Sequence, residues 1–263
     1  MNITLTYIGS ATVLLRIGEI TILTDPTFDP AATSQSLSLP GTDISVPLQR
    51  RVDPAIRAAD LPPIDLVLLS HDEHPDNFDT SGRAVAANAR SILTTVSGAQ
   101  RLGQSAIGLH PGDRIEAAPG IHITATPAQH TEPHLLAVAG DVIGFIIEID
   151  GTPNSIYITG DTLNIPELAG LADNHQITTI LAHVGDAHFD LSGDTPFSMT
   201  IQDALTLGEK LNARTVIPIH EDDWKHFRTN AAEDSDNSDN TVLCRLKPGA
   251  TTRLQWPTLA PIS

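Results

Sequence analysis

Residues 70–77 read Ser-His-Asp-Glu-His-Pro-Asp-Asn and directly follow the apolar run 64–69, Ile-Asp-Leu-Val-Leu-Leu. Such an apolar run predicts a buried strand, so the polar residues lie where that strand ends. Imidazole nitrogens and carboxylate oxygens together are ligands that borderline divalent metals use. Loops that leave strand ends are also where such groups meet at a cleft. Residues 70–77 therefore predict a metal site.

Four further strand-like runs are each followed by a histidine or an aspartate. These residues are His130 after residues 121–126, Asp161 after 155–159, His183 after 177–182, and His220 after 215–219. A single histidine after a strand is most often a surface or hydrogen-bonded residue, but the repetition forms a pattern. If the strands lie side by side, these groups meet at one edge of a sheet, the usual place for a site in α/β proteins.

The composition favours a cytoplasmic protein that acts on small molecules. The chain of 263 residues carries 32 acidic and 15 basic side chains, and its formal net charge of −17 repels nucleic-acid phosphates. No apolar stretch approaches the roughly 20 residues of a membrane span, and no signal peptide is recognisable. The single cysteine, Cys244, excludes an internal disulfide. We expect a small-molecule substrate and no nucleic-acid or membrane partner, and we leave a homo-oligomer open.

The order of segments predicts one mixed α/β domain over residues 1–263. Residues 25–63 hold much Pro, Ser and Asp with little periodicity, so we expect a long loop that borders a cleft. The acidic run 233–240 predicts a solvated or mobile loop. Helices are predicted at residues 83–89, 99–102, 166–171 and 201–211.

Six short motifs in order along the chain resemble those of the metallo-β-lactamase-fold hydrolases, in particular the branch with the ascorbate-6-phosphate lactonases. They cover most of the chain and are Tyr-Ile-Gly-Ser-Ala-Thr-Val-Leu (7–14), Leu-Thr-Asp-Pro (23–26), the loop 70–77, Pro-Ala-Gln-His (127–130), Thr-Gly-Asp-Thr (159–162) and Val-Ile-Pro-Ile-His (216–220). The resemblance implies an α/β protein built as a four-layer αββα sandwich, with a dinuclear metal site at the shared sheet edge.

The resemblance also implies which residues hold the metals. By position, the first ion would be bound by His71, His74 and His130. Asp161 would bridge both ions, and Asp76 with His220 would hold the second. Asp76 would additionally orient a metal-activated water and carry its proton to the leaving group.

The loop 70–77 departs from the family pattern His-x-His-x-Asp-His in two places. Two residues, Asp72 and Glu73, separate the histidines, so either His71 still reaches the metal or one of these carboxylates replaces it. We favour His71. Asn77 stands where the final histidine is expected, and its amide oxygen is a weak ligand for zinc. We therefore expect one or two divalent ions, with zinc favoured and manganese or iron as alternatives.

The predicted activity is hydrolysis of a small-molecule lactone or ester by metal-activated water. Phosphodiester hydrolysis is one alternative, and a degenerate, non-catalytic metal-binding or sensor protein is another. No Gly-x-Ser-x-Gly sequence suggests a serine nucleophile. His183, Trp224 and His226 are the candidates for lining the substrate pocket.

Overall fold

A computed structural model describes residues 2–38, 43–103, 106–228 and 241–254. The acidic run 233–240 lies outside the described residues. Within them the strands are, in chain order, β1 (Ile3–Gly9), β2 (Thr12–Ile17), β3 (Ile20–Thr24), β4 (Gln35–Ser38), β5 (Ser45–Leu48), β6 (Leu66–Leu68), β7 (Ser91–Thr95), β8 (Ala106–Leu109), β9 (Arg114–Ala118), β10 (Ile121–Thr126), β11 (Gly144–Ile149), β12 (Asn154–Ile158), β13 (Gln176–His183), β14 (Thr215–Ile219), β15 (Val242–Leu243) and β16 (Thr251–Leu254).

The helices of these residues are fewer than the strands. The α-helices are α1 (Thr80–Ala86), α2 (Val96–Leu102), α3 (Leu136–Ala139) and α4 (Ile201–Lys210). The 3-10 helices span Ala58–Asp60, Pro133–Leu135, Pro166–Asp173 and Asp190–Ser192. None of the described helices is long and apolar enough to cross a membrane.

Two seven-stranded sheets make up the centre of the described structure. Their orders are β16-β1-β2-β3-β6-β7-β8 and β15-β14-β13-β12-β11-β10-β9. Strands β3, β6 and β7 run parallel in the first sheet, as β12, β13 and β14 do in the second. Strand β10 points the same way as β12, because each is antiparallel to β11. The carboxyl ends of these strands therefore meet at one edge of the sandwich, where the polar strand-end residues follow.

Apolar side chains from both sheets form the inner core. Leu15 and Leu68 of the first sheet belong to the same buried cluster as Phe145 and Leu181 of the second. Further apolar clusters cover the outer face of each sheet, beneath α1 on one side and α4 on the other. The order of layers is helix, sheet, sheet, helix, which confirms the predicted four-layer αββα sandwich.

Helix α4 shows how local sequence builds an outer layer. Ile201, Ala204, Leu205 and Gly208 recur at helical spacing and are buried against the second sheet. Thr200 caps the helix: its hydroxyl accepts a hydrogen bond from Asp203 N, while the Asp203 carboxylate accepts one from Thr200 N at 3.0 Å. The predicted helix 201–211 is confirmed.

Two other helices begin earlier than predicted, because polar side chains cap them. Asp79 accepts a hydrogen bond from Gly82 N at 2.7 Å, so α1 begins at Thr80 rather than near residue 83. Thr95 accepts one from Gly98 N at 2.9 Å, so α2 begins at Val96 rather than near 99. The predicted helix 166–171 is the 3-10 helix Pro166–Asp173.

Residues 25–63 contain secondary structure that the sequence does not predict. Strands β4 and β5 pair as an antiparallel two-stranded sheet, with Leu37 opposite Val46. Each strand has only four residues, which is too short for an alternation of apolar and polar side chains to be recognised in the sequence.

Gly160 allows the two sheets to approach at the site edge. It follows β12 with a φ of +63°, and a Cβ at this position would lie 2.7 Å from the Ile143 carbonyl oxygen and 3.0 Å from Ser70 Cβ. Both the positive φ and the close backbone favour glycine.

We expect Gly160→Ala to lower the free energy of unfolding by about 2 kcal/mol or more, since it adds backbone strain to a clash. Urea denaturation of the metal-free protein measures this loss. Gly170→Ala is the matched control, because no atom lies within 4 Å of its added Cβ. Equal stability of the two variants would show that the close approach at Gly160 does not constrain the fold.

Candidate metal centre

Three buried histidines bring their ring nitrogens together at the site edge. His74 Nδ1 lies 3.1 Å from His71 Nε2 and 3.0 Å from His130 Nε2. One ligand atom from each ring lies within 4.8 Å of the others. The outer nitrogens are held by the protein: His71 Nδ1 lies 3.0 Å from Ser70 Oγ, and His130 Nδ1 donates to the Phe197 carbonyl oxygen at 2.6 Å. Such outer hydrogen bonds are typical of metal-binding imidazoles.

The loop after β6 accommodates its extra residue by turning after His74. Phe78 N donates to the His74 carbonyl oxygen at 2.8 Å, and the Asn77 amide donates to the His71 carbonyl oxygen at 2.9 Å. Both histidine rings therefore face the same point although two residues separate them.

Asp72 and Glu73 point away from the three histidines. The Asp72 carboxylate pairs with Arg101, at 2.5 Å between Oδ1 and Nη2, and Glu73 Oε2 lies 3.0 Å from the same nitrogen. The Arg83 guanidinium also donates to the Asp72 carbonyl oxygen. The geometry thus gives these carboxylates a role in holding the loop, and it favours His71 over them as the residue facing the centre.

Asp161 lies between the three histidines and His220. Its Oδ2 is 3.6 Å from His130 Nε2 and 3.9 Å from His71 Nε2, while its Oδ1 accepts a hydrogen bond from His220 Nδ1 at 2.9 Å. His220 directly follows β14 and has a φ of 53°, an uncommon conformation for a non-glycine residue. The Nε2 of His220 is buried and has no hydrogen-bond partner among the described residues.

Asp76 lies on the other side of His220. Its Oδ2 accepts a hydrogen bond from His226 Nε2 at 2.9 Å and lies 3.9 Å from His220 Nε2. The structure therefore brings Asp76, Asp161 and His220 together, as the sequence predicts.

Burial and charge set the protonation of these groups. Burial and the neighbouring imidazoles hold the pKa of His71 well below its usual value and lower the pKa of His74 to about 4. Burial alone would raise the pKa of Asp76 and Asp161, but the facing histidines outweigh it and keep both pKa values low. At neutral pH His71 and His74 are therefore neutral and Asp76 and Asp161 are ionised, the forms that bind a metal. For His220, Asp161 outweighs burial and raises the pKa to about 9.

A cavity of about 120 Å³ opens beside the three histidines. Most of its walls are apolar, and no Lys or Arg is among the described residues that line it. The lining residues are Leu37, Val46, His74, Asp76, His130, Leu135, Val138, Ala139, Asp161, Ala187, Phe189, Leu191, Ser192, Phe197 and His226.

Of the three predicted pocket residues, only His226 lines this cavity. Trp224 is fully buried, and its Nε1 donates to Ser10 Oγ at 2.8 Å. His183 is also fully buried, and it groups with Asp161 and His220 as a second set of ligand atoms within 4.8 Å of one another. Trp224 and His183 do not line this cavity, because both side chains are fully buried, and their part in substrate binding stays a prediction.

Asp25 is a site residue to which sequence reasoning assigned no role. It is fully buried after β3, and its Oδ1 accepts hydrogen bonds from Ser70 N at 2.7 Å and from Asn77 Nδ2 at 3.1 Å. Its Oδ2 lies 3.3 Å from His183 Nε2. The sequence feature that indicates Asp25 is its position directly after an apolar strand, the same pattern that indicates Asp161.

Comparison with known proteins agrees with this geometry. The sequence profile described as a Beta-lactamase superfamily domain matches residues 21–220. The chain is 30% identical over 233 residues to a UPF0173 metal-dependent hydrolase of Methanoregula boonei, covering 86% of each chain.

Solved structures show the same fold. An isothiocyanate hydrolase from Delia radicum gut bacteria aligns with a TM-score of 0.76 at 22% identity, covering 95% of this chain and 98% of that one. A possible metal-dependent hydrolase from Veillonella parvula aligns with a TM-score of 0.75 at 21% identity, covering 97% and 100%. With a matching profile over most of its length and a curated relative at this identity, the chain belongs to the β-lactamase superfamily of metal-dependent hydrolases.

Proposed function

We propose that this protein hydrolyses a small, neutral lactone or ester with a metal ion bound by His71, His74 and His130 and contacted by Asp161. The observation that carries the proposal is the convergence of three buried imidazoles beside an apolar cavity. Neutral imidazoles carry one ring proton each, so these buried nitrogens keep lone pairs that lack a hydrogen-bond donor. A bound cation would satisfy those lone pairs.

The spacing of the ring nitrogens supports the fit. Ligands of one tetrahedral zinc ion lie about 3.4 Å apart when each bond is about 2.1 Å. The observed nitrogen separations of 3.0 and 3.1 Å are close to that value. Three imidazoles favour zinc, and the carboxylates beside them leave manganese or iron as alternatives. When bound, such an ion supplies hydroxide near neutral pH and polarises the substrate carbonyl.

Asp76 is the proposed base that orients the water and moves its proton to the leaving group. Its carboxylate lines the cavity, is ionised, and is held by the hydrogen bond from His226. This bond fixes one oxygen of Asp76 and leaves the other to face the substrate.

The cavity walls support a neutral substrate. Two carboxylates, Asp76 and Asp161, face the cavity, and no cation among the described residues does. Apart from the metal ion itself, a phosphate group would find no cationic side chain among the described lining residues, which favours a neutral lactone or ester over a phosphorylated lactone or a phosphodiester. The open cavity beside the three histidines likewise favours an enzyme over a purely metal-binding protein.

A short isothiocyanate is a second candidate substrate. The isothiocyanate hydrolase of similar fold acts, by its name, on a neutral group whose carbon is open to attack by water. The apolar, cation-free cavity suits such a group as well as it suits an ester.

Activity on these substrates should depend on the bound metal. We expect metal-replete protein to hydrolyse short neutral lactones, esters or isothiocyanates, and a chelator to abolish the activity reversibly. We expect His130→Ala to lower kcat/KM by more than about 100-fold, because the ion loses one of its ligands. His175→Ala is the control, since His175 lies apart and pairs with Glu148. Full activity of the His130 variant, or replete protein without metal at the three histidines, would contradict the proposal.

The affinity for metal should depend on pH differently at the three histidines His71, His74 and His130 than at the second set of ligands, which includes His220. His220 has a pKa raised to about 9, so binding a second ion there should release about one proton at neutral pH. His71 and His74 have lowered pKa values and need no deprotonation. Between pH 6.5 and about 9, affinity for the second ion should therefore rise roughly tenfold per unit, while affinity for the first changes little.

Isothermal titration calorimetry in buffers of different ionisation enthalpy counts the released protons. Identical apparent enthalpies for the second ion in all buffers would contradict the assignment of the raised pKa to His220.

Leu37 should limit the length of the substrate. Its side chain comes from β4 and lines the cavity, so Leu37→Ala should raise kcat/KM for substrates with a longer acyl chain, relative to short ones, by at least about tenfold. Kinetics over a series of straight-chain esters measures this preference. Val52→Ala is the control, because Val52 is exposed and does not line the cavity. An unchanged preference would show that substrates enter elsewhere.

A further inference from the structure

We propose that His183 is a ligand of a second metal ion, together with Asp161 and His220, and that it replaces the histidine which this chain lacks at position 77. The proposal rests on the proposed function only for the nature of the ion. One ligand atom from each of these three buried residues lies within 4.8 Å of the other two.

The loop 70–77 does not complete a second site by itself. Asn77 uses its amide N–H groups on the protein, donating to Asp25 Oδ1 at 3.1 Å and to the His71 carbonyl oxygen at 2.9 Å. Its Oδ1 is buried without a hydrogen-bond partner in the described structure, but an amide oxygen is a weak metal ligand. A second ion beside Asp161 and His220 therefore needs an imidazole from elsewhere.

The end of β13 supplies an imidazole at that place. His183 is the last residue of the strand, neighbours β14 in the sheet, and is paired in register with Ile219, directly before His220. The rings of His183 and His220 lie edge to face with centroids 5.6 Å apart. Both rings are fully buried, so His183 is held next to His220 by the sheet itself.

The hydrogen bonds around Thr159 are satisfied when His183 Nδ1 carries the ring proton and Nε2 presents a lone pair. Thr159 Oγ1 donates to the Gly160 carbonyl oxygen at 2.9 Å and accepts from the His183 backbone N at 3.0 Å. Its one proton is used, so it acts as an acceptor for His183 Nδ1–H at 3.3 Å. In the neutral ring this assigns the lone pair to Nε2, as second-shell bonds do for metal-binding histidines.

The lone pair on His183 Nε2 faces the carboxylate of Asp25. His183 Nε2 lies 3.3 Å from Asp25 Oδ2, and two acceptors that face one another in a buried place need a cation or a proton between or beside them. Nearby, His220 Nε2 is a second buried ring nitrogen without a hydrogen-bond partner among the described residues. A divalent ion bound by Asp161, His183 and His220 would give the buried lone pairs of both histidines a partner. The rival explanation is a metal-free His183–Asp25 pair, in which His183 Nε2–H donates to the Asp25 carboxylate.

Metal counting separates the two explanations. Purified protein is saturated with Mn²⁺ or Zn²⁺, freed of excess metal by gel filtration, and its metal content is measured by mass spectrometry. We expect about two ions per chain in the wild type and about one in His183→Gln, with the first ion kept at the three histidines. His175→Gln is the matched control, and it should keep both ions. A His183 variant that folds and keeps both ions overturns the proposal and supports the metal-free His183–Asp25 pair.

An anomalous difference map of wild-type crystals grown with Mn²⁺ keeps the test decisive if His183→Gln fails to fold. A second peak within coordination distance of His183 Nε2 supports the proposal. A second peak placed away from His183, or a single peak at His71, His74 and His130 under saturating metal, overturns it but leaves the proposed hydrolase intact. Absence of any peak at these three histidines would instead overturn the proposed function.

Discussion

The carboxylate of Asp25 organises the edge on which the metal centre is built. It is fully buried, and it receives hydrogen bonds from the first residue of the loop 70–77 and from Asn77 near its end. Hydrogen bonds to a charged group contribute about 1.5–3 kcal/mol each, so both ends of the loop are held to β3. With its ends fixed, the loop has to direct His71 and His74 to the same point. Asp25 itself has a φ of 32°, which shows that the backbone is bent to place this carboxylate.

The clustering of so many titratable groups is unfavourable without a cation. His71, His74 and His130 bring their nitrogens within hydrogen-bond distance, although neutral imidazoles have only one proton each to offer. Asp161 and Asp76 add negative charge in a buried place. Such a cluster is typical of a functional site, where residues that bind a ligand lower the stability of the ligand-free protein. The apolar cavity beside it lowers the local dielectric, which strengthens the interactions of any charged group within.

Much of the fold and the central residues were predictable because their signals are local. An apolar run followed directly by His or Asp marks a strand end, and this pattern selected His71, His130, Asp161 and His220. The parallel arrangement of the strands then brings these residues together. The pairing of β4 with β5 was not predictable, because each strand is only four residues long and their composition shows no sustained alternation. The full burial of Trp224 and His183 was not predictable, because the elements that cover them lie far away in the chain.

The sequence by itself determined the mixed α/β class and the residues that gather at the strand ends, because periodicity and strand-end chemistry act over a few neighbouring residues. The four layers of the sandwich were implied by the resemblance of its motifs to those of the metallo-β-lactamase-fold hydrolases. Only the tertiary structure decided which of these residues face one another. Arg101 draws Asp72 and Glu73 away from the centre, and the register of β13 with β14 sets His183 beside His220. These outcomes depend on pairings between residues far apart in the chain. The distance between such residues is fixed by sheet packing, and no local pattern records it.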